Sequence, residues 1–238
     1  MTMRTKKLLV LLVLTSVAGI LSILSPAAMA IRSPATMVRE VARAPERGIS
    51  PQANETLRFQ LDSSRSQFIA HALRGGLLWF KGHEHLVAAR EFSGEAQLNA
   101  ASLGASSLEL TVKTDSMAET SDAFTAAQKQ IIDRELREIV LEPAKYPEII
   151  FKSNKVTGKA AGPSQYELKI SGELTLHGIT RPIVIPAKVT VSGNDLRAVG
   201  EFSIDRSDFK VKATSAFHGM VRVRKTVKFT FDIVGRRM

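Results

Sequence analysis

The stretch VRVRKTVKFTFDIV, residues 221–234, reads in two phases. Val221, Val223, Val227, Phe229, Phe231 and Ile233 occupy one, while Arg222, Arg224, Lys228, Thr230 and Asp232 occupy the other. Successive side chains of a β-strand point to opposite faces, so one face of this segment is apolar and the other wet. The alternation recurs upstream, in Leu108/Leu110/Val112 against Glu109/Thr111/Lys113 and in Tyr166/Leu168/Ile170/Leu174/Leu176 against Glu167/Lys169/Ser171/Glu173/Thr175. Further candidate strands are 57–74, 148–156, 183–191 and 198–204, with turn signals at Gly75-Gly76, Gly162-Pro163 and Gly193-Asn194-Asp195. About eight strands with one apolar face each predict an all-β chain, closed or nearly closed as an antiparallel barrel.

One segment breaks the period. Over residues 121–140, Phe124, Ala127, Ile131, Leu136, Ile139 and Val140 follow helical spacing, with charges on the other face. Asp122 suits a first turn and Pro143 follows the end. The expectation is one helix packed over the sheet or closing one barrel end.

The chain begins with Arg4, Lys6 and Lys7, an uncharged run from Leu8 to Leu24, Pro26, and then Ala28-Met29-Ala30. These are the three parts of a secretory signal peptide over residues 1–30. The run could also span a bilayer of about 30 Å, but the Ala28/Ala30 pair favours cleavage over an uncleaved anchor. Acylation as a lipoprotein needs a cysteine, and the chain has none. An exported protein without disulfides is expected in a bacterial periplasm. Residues 31–56, with Pro34, Pro45, Gly48 and Pro51 among Ala, Arg and Glu, read as a flexible linker, leaving 57–238 as one barrel domain. The formal charge of +10 over 238 residues includes the three leader cations. With eleven Phe, two Tyr and one Trp, and base-stacking surfaces usually needing exposed aromatic platforms interleaved with Lys and Arg, nucleic-acid binding is not expected.

Five segments carry a resemblance: LDSSRSQFIAHA at 61–72, FSG at 92–94, KYPEIIFKS at 145–153, GELTLHGITRPIVIP at 172–186 and FSIDRSDFKV at 202–211. In that order they resemble the YceI-like family of exported polyisoprenoid-binding barrels. The resemblance implies an elongated lipocalin-like barrel that takes a long apolar ligand, typically a polyprenyl chain, into a tunnel, with no established chemistry and no cofactor. The chain departs from the family in FKGHEHLV at 80–87, which carries His83 and His85, and at Lys210, where the family commonly has Gly.

A tunnel of this kind leaves little trace as a motif, because each buried methylene contributes about 0.8 kcal/mol without any polar partner. It is written as an inward phase rich in Phe and Leu, and the candidate wall residues are Phe68, Leu110, Phe151, Leu174, Phe202, Ile204, Phe229 and Phe231. Plain core packing is the alternative for each. Lys225 interrupts the apolar phase between Val223 and Val227, so it either meets a pyrophosphate or carboxylate head group or is turned to solvent by a bulge. Arg181 of the GITRP turn is a second head-group candidate, and Asp205-Arg206-Ser207-Asp208 reads as a structural ion-pair corner.

His83 and His85, two apart, would share one face of a strand and could ligate a metal, with His71, His177 or His218 as a third donor. Glu84 falls on the opposite face, so HEH is not the helical zinc-protease arrangement. No cysteine, no GxSxG and no glycine-rich phosphate loop is present, and an enzyme is not expected. The leading expectation is a periplasmic carrier of a polyisoprenoid, either a polyprenyl phosphate or an isoprenoid quinone. The alternatives are a histidine-based metal-binding or redox-accessory protein with a solid barrel, and an interaction module that docks transiently on a membrane or a membrane enzyme.

Overall fold

The computed structural model describes residues 55–76, 82–212, 215–216 and 221–238. The expected signal peptide, all but the last two residues of the expected linker, and His218 lie outside these residues.

Strands β1 (Thr56–Gly75), β3 (Phe92–Asn99), β4 (Ser107–Lys113), β6 (Glu148–Gly162), β7 (Gln165–Leu176), β8 (Ile179–Ser192), β9 (Asp195–Asp205) and β11 (Val221–Arg237) form a ring in which every neighbouring pair is antiparallel. The ring closes where β11 pairs with β1, Phe59 opposite Arg237 and Phe68 opposite Phe231. Closure pairs both edges of the sheet and removes the liability of exposed strand edges. Short strands β2 (His85–Ala89) and β5 (Met117–Glu119) extend the sheet from the C-terminal half of β1, and β10 (Ser215–Ala216) adds to β11. The barrel read from period two is the barrel observed. Its first strand begins at Thr56, one residue before the expected domain start.

The inward phase of β7 is Leu168, Ile170, Leu174 and Leu176, all buried, while Glu167, Lys169 and Glu173 face water. Phe59 is fully buried, and the apolar interior runs continuously through the eight strands. Bulges in β1 and β6 shift the phase. In β1, Asp62 pairs with Val234 but Gln67 with Asp232, so three extra residues sit on β1 and both Leu61 and Phe68 turn inward despite their odd separation. The bulge is held by Asp62, which accepts from the Ser64 amide and hydroxyl, by Ser66, which donates to the Asp62 carbonyl, and by Arg65 bound to Asp195 at 2.6 Å. This is the physical content of LDSSRSQF. In β6 a shift between Ser153 and Lys155 likewise turns both Phe151 and Val156 inward.

The β7–β8 hairpin turns on His177 and Gly178, both with positive φ (53° and 73°), as a two-residue primed turn requires. A Cβ on Gly178 would lie 2.9 Å from the Tyr146 ring, which packs with its centroid 4.0 Å from that of His177. The aromatic of KYP and the HG of the hairpin are therefore one contact. Lys210 takes the left-handed conformation (φ 53°) that a glycine would adopt there without steric cost.

The helix is shorter and rotated relative to expectation. α1 spans Ala126–Glu135 and continues as a π turn over Leu136–Leu141. Its N-cap is Thr125, in a reciprocal capping box with Gln128, so Asp122 precedes the helix rather than occupying its first turn. The inward stripe is Ile132, Leu136 and Val140, four residues apart, joined by Leu141, while Ile131 (53% exposed) and Ile139 (39%) fall on the surface.

Candidate ligand-binding site

The inward phases of the eight strands enclose two cavities. The larger, about 180 Å³, lies beneath Ile132, Leu136, Val140 and Leu141 of the helical segment. Its strand walls include Ala70, Val112, Ile149, Leu176, Ile183 and Val227. The smaller, about 90 Å³, lies toward Leu61, Leu98, Val156, Leu196 and Ile233. Phe68, Leu110, Ile185 and Phe202 border both. The Phe202 ring stacks on Phe229 (centroids 5.0 Å apart, planes 11° apart), and Phe68 packs 5.8 Å from Phe229 and 6.4 Å from Phe202. Phe231 continues the cluster on the other side of Phe202 at 6.4 Å, its ring laid across Gly200, where a Cβ would come within 2.6 Å.

Of the candidate wall residues, Phe68, Leu110, Phe151, Leu174, Phe202, Ile204 and Phe229 border the larger cavity and Phe231 the smaller. The barrel brings them together from six strands. The head-group candidates are placed otherwise. Lys225 lies where β11 carries two extra residues between the Val227–Ala72 and Val223–Arg74 pairs, and it is exposed while Val223 and Val227 keep the inward phase. Arg181 pairs with Leu174 at the barrel end, but its Nε is directed at the Asp208 carbonyl (3.4 Å), away from the cavity lining.

The polar side chains that do border the larger cavity are His85, Glu135, Arg206 and Lys212. Sequence reasoning placed Arg206 in an ion-pair corner. The corner is instead a capped 3-10 turn, in which Asp205 accepts from the Ser207 amide and Arg206 donates to the carbonyls of Arg224 and Val211. The Asp205 carboxyl is held below its ordinary range by the Ser207 side-chain and backbone hydrogen bonds, with Lys225 and Arg206 adding charge.

His83 and His85 flank one ring, Phe124, with centroids 5.5 and 5.0 Å away, so they share a side as their spacing predicts. One of the two is already engaged through a ring nitrogen. His85 Nδ1 donates to Glu119 Oε2 at 2.8 Å, and the other carboxylate oxygen accepts from the amides of Leu86 (3.1 Å) and Ser121 (2.8 Å). The Glu119 side chain is fully buried. Burial pushes its carboxyl up, but the hydrogen bonds from His85, Ser121 and Leu86 together outweigh that and hold it below the ordinary carboxylate value. His71 is bonded to Thr230 and Glu84, and His177 to Glu142. Among the described residues no group of three His, Asp or Glu side chains could hold a metal ion. Glu119, the keystone of this cluster, carried no signal in the sequence, because its partners come from β2 and the loop after β5.

Comparison with known proteins adds a lineage. Residues 59–235 match the family model described as the YceI-like domain. A UPF0312 protein of Vibrio parahaemolyticus is 33% identical over 127 residues, which cover 50% of this chain and 61% of the relative. A UPF0312 protein of Shewanella denitrificans is 32% identical over 129 residues, 51% and 61% of the two chains. The match thus spans less than two thirds of each relative. Among solved structures, BcnA of Burkholderia cenocepacia superposes with a TM-score of 0.57 at 20% identity, over 73% of this chain and 98% of that one. A polyisoprenoid binding domain from Saccharophagus degradans, implicated in plant cell wall breakdown, does so with a TM-score of 0.55 at 14% identity, over 76% and 99%. At such identities the likeness is one of fold.

Proposed function

Because the chain belongs to the YceI-like family, we propose that it is an exported carrier that holds a long-chain amphiphilic lipid, a polyisoprenoid such as a polyprenyl phosphate or an isoprenoid quinone, inside its barrel. The observation that carries this reading is the pair of apolar cavities inside the barrel, walled from all eight strands, the larger fringed by His85, Glu135, Arg206 and Lys212 and the smaller only by the neutral Gln97, Ser106 and Ser107. A solid barrel needs no such space. An apolar chain laid along it gains about 0.8 kcal/mol per buried methylene, which gives affinity without polar motifs. The polar fringe of His85, Arg206 and Lys212 offers donors to an anionic or carbonyl-bearing head group.

Retention rather than reaction is the activity that suits these walls, which present hydrocarbon where an enzyme would present a nucleophile with its base. Export to the periplasm rests on the leader at Arg4, Lys6 and Lys7 and the small residues Ala28 and Ala30. Exposed Ile131 and Ile139, on the helical segment over the larger cavity, suit brief contact with the membrane from which a lipid would be drawn.

The test is lipid retention. Protein exported to a periplasm, examined by native mass spectrometry and then by organic extraction, is expected to carry an added mass that extracts as a long-chain lipid. The double variant Phe151→Asp/Phe229→Asp should lose that mass while keeping its β-sheet circular dichroism. Full retention in the folded double variant would overturn the proposal.

A further inference from the structure

The seam between β8 and β9 is only half closed. Their ladder runs from the Ser192–Asp195 pair to the Lys188–Val199 pair and stops. From there β8 pairs only with β7, back to Ile179, and β9 only with β11, on to Asp205. The seam between β1 and β3 also parts beside the larger cavity, but β2 pairs with β1 there and β5 with β2. Among the described residues no strand fills the place between β8 and β9.

The cause lies in the residues of β8. The Val191 amide donates to the Ser164 carbonyl on the β7 side at 2.9 Å, and the β7–β8 register has no bulge. Alternation therefore directs the backbone groups of Pro182, Val184, Pro186 and Lys188 at β9. Lys188 makes the last pair. Beyond it, Pro186 and Pro182 have no N–H to give, as on a strand that forms an edge.

The open stretch lies against the larger cavity. Ile183 and Ile185 on the β8 lip and Phe202 and Ile204 on the β9 lip all border that cavity, while Val184 between them is 52% exposed on the outside. Packing of these side chains and the 3-10 turn Arg206–Phe209 close the gap, with Phe209 buried. The turn is tied to β11, where Arg206 Nε donates to the Arg224 carbonyl at 3.2 Å, and its hydrogen bond to β8 is the long one from Arg181 Nε to the Asp208 carbonyl, 3.4 Å. A cavity of about 180 Å³ is smaller than the roughly 300–1,000 Å³ of pockets for drug-sized ligands, so taking in a lipid tail requires the wall to yield. Parting β8 from β9 beyond Lys188 breaks no strand ladder, whereas parting a hydrogen-bonded pair of neighbours does.

We propose that the ligand enters and leaves through the side of the barrel, by a portal between residues 182–186 of β8 and 201–205 of β9. The ladder from Lys188 to Ser192 is the hinge, and the turn at 206–209 moves with β9 and β11. This proposal rests on the carrier reading, and the experiment separates the two.

The chain has no cysteine, so cysteine pairs can be introduced singly. Val184→Cys/Ser203→Cys places thiols opposite each other across the open stretch, by extension of the register, and Thr190→Cys/Arg197→Cys does so within the ladder. Each full-length, solvent-extracted variant is joined with a short bis-methanethiosulfonate, and uptake of N-phenyl-1-naphthylamine, a dye that brightens in apolar surroundings, is followed by stopped flow before and after. Cross-linking the open stretch should slow uptake at least about tenfold, with recovery on reduction, while cross-linking the ladder leaves the rate within about twofold. Pro182→Thr/Pro186→Thr, which returns amide donors to the seam, should also slow uptake without any cross-link, with a thermal melt to show that it is folded. Uptake unchanged by the cross-link at 184 and 203, or slowed equally by both cross-links, overturns the portal and leaves the carrier reading standing. A wild-type protein that takes up neither the dye nor farnesol overturns both.

Discussion

Glu119 shows how one side chain can tie an irregular region together. Its carboxylate collects donors from His85, Leu86 and Ser121, and its own amide donates to Asp133 of α1 at 2.8 Å. Strand β2 and the loop after β5 therefore share one buried anion, and the helix over the larger cavity is tied to the same residue through its backbone amide. Replacing it by Gln keeps the shape but sets an amide donor against donors that the carboxylate satisfied, at a cost of about 1–3 kcal/mol at neutral pH. The pH dependence has a definite sign. The folded-state pKa lies below the ordinary value of 4.5, so the contribution is fully present above that value and is lost as pH falls through the folded pKa. Urea denaturation at steps from pH 7 to pH 3 should show wild type and Glu119→Gln converging as pH falls below 4.5. A gap of constant size over that range would mean the carboxylate is not ionised in the native state.

At the scale of elements, period two carried most of the fold, and its failures are instructive. β7 keeps one phase from Leu168 to Leu176, and its reading needs nothing beyond its own residues. β1 and β6 do not keep one phase, because a bulge is a property of two paired strands and appears only once the partner's register is known. The polar run Asp62–Ser66 was the visible trace of the first bulge. The helix carries two adjacent isoleucines, and its inward stripe runs through Ile132, Leu136 and Val140, so Ile131 and Ile139, apolar as they are, end on the surface. Head-group candidates were the least legible, since Lys225 looked inward only if β11 ran without extra residues. The bulge in β1 gives a direct test. Deleting Ser64 reverses the phase across the bulge and swings Phe68 toward solvent with Gln67 inward, at a cost of several kcal/mol from the lost ring burial and the buried amide. Chemical denaturation would measure it. A deletion variant as stable as wild type would show that the bulge does not set the phase of β1.

The barrel formed by the described residues holds unfilled space in its interior. Unfilled apolar space costs stability, by about 24 cal/mol for each Å³ in cores that do not collapse, and a lipid that fills it returns that stability by mass action. At a free concentration one hundred times its dissociation constant a ligand adds about 2.7 kcal/mol, which for a domain of this size raises the melting temperature by about 5–10 °C. Calorimetry of solvent-extracted protein, before and after reloading with the extracted lipid, should show this rise. Identical melting of the two preparations would argue for a barrel whose cavities are packing defects.

The seam between β1 and β11 has a temporal meaning as well as a spatial one. It sets Phe59 against Arg237, so the ring is completed by the last of its own eight strands in sequence order. Every contact across that seam spans most of the sequence, which places the search for it among the slow, high contact-order steps of folding. Until β11 arrives, β1 and β9 each lack a neighbour and neither chamber has its fourth wall. The interior thus stays open for as long as β11 is absent, and an apolar ligand of the kind proposed can be enclosed only after that strand has docked.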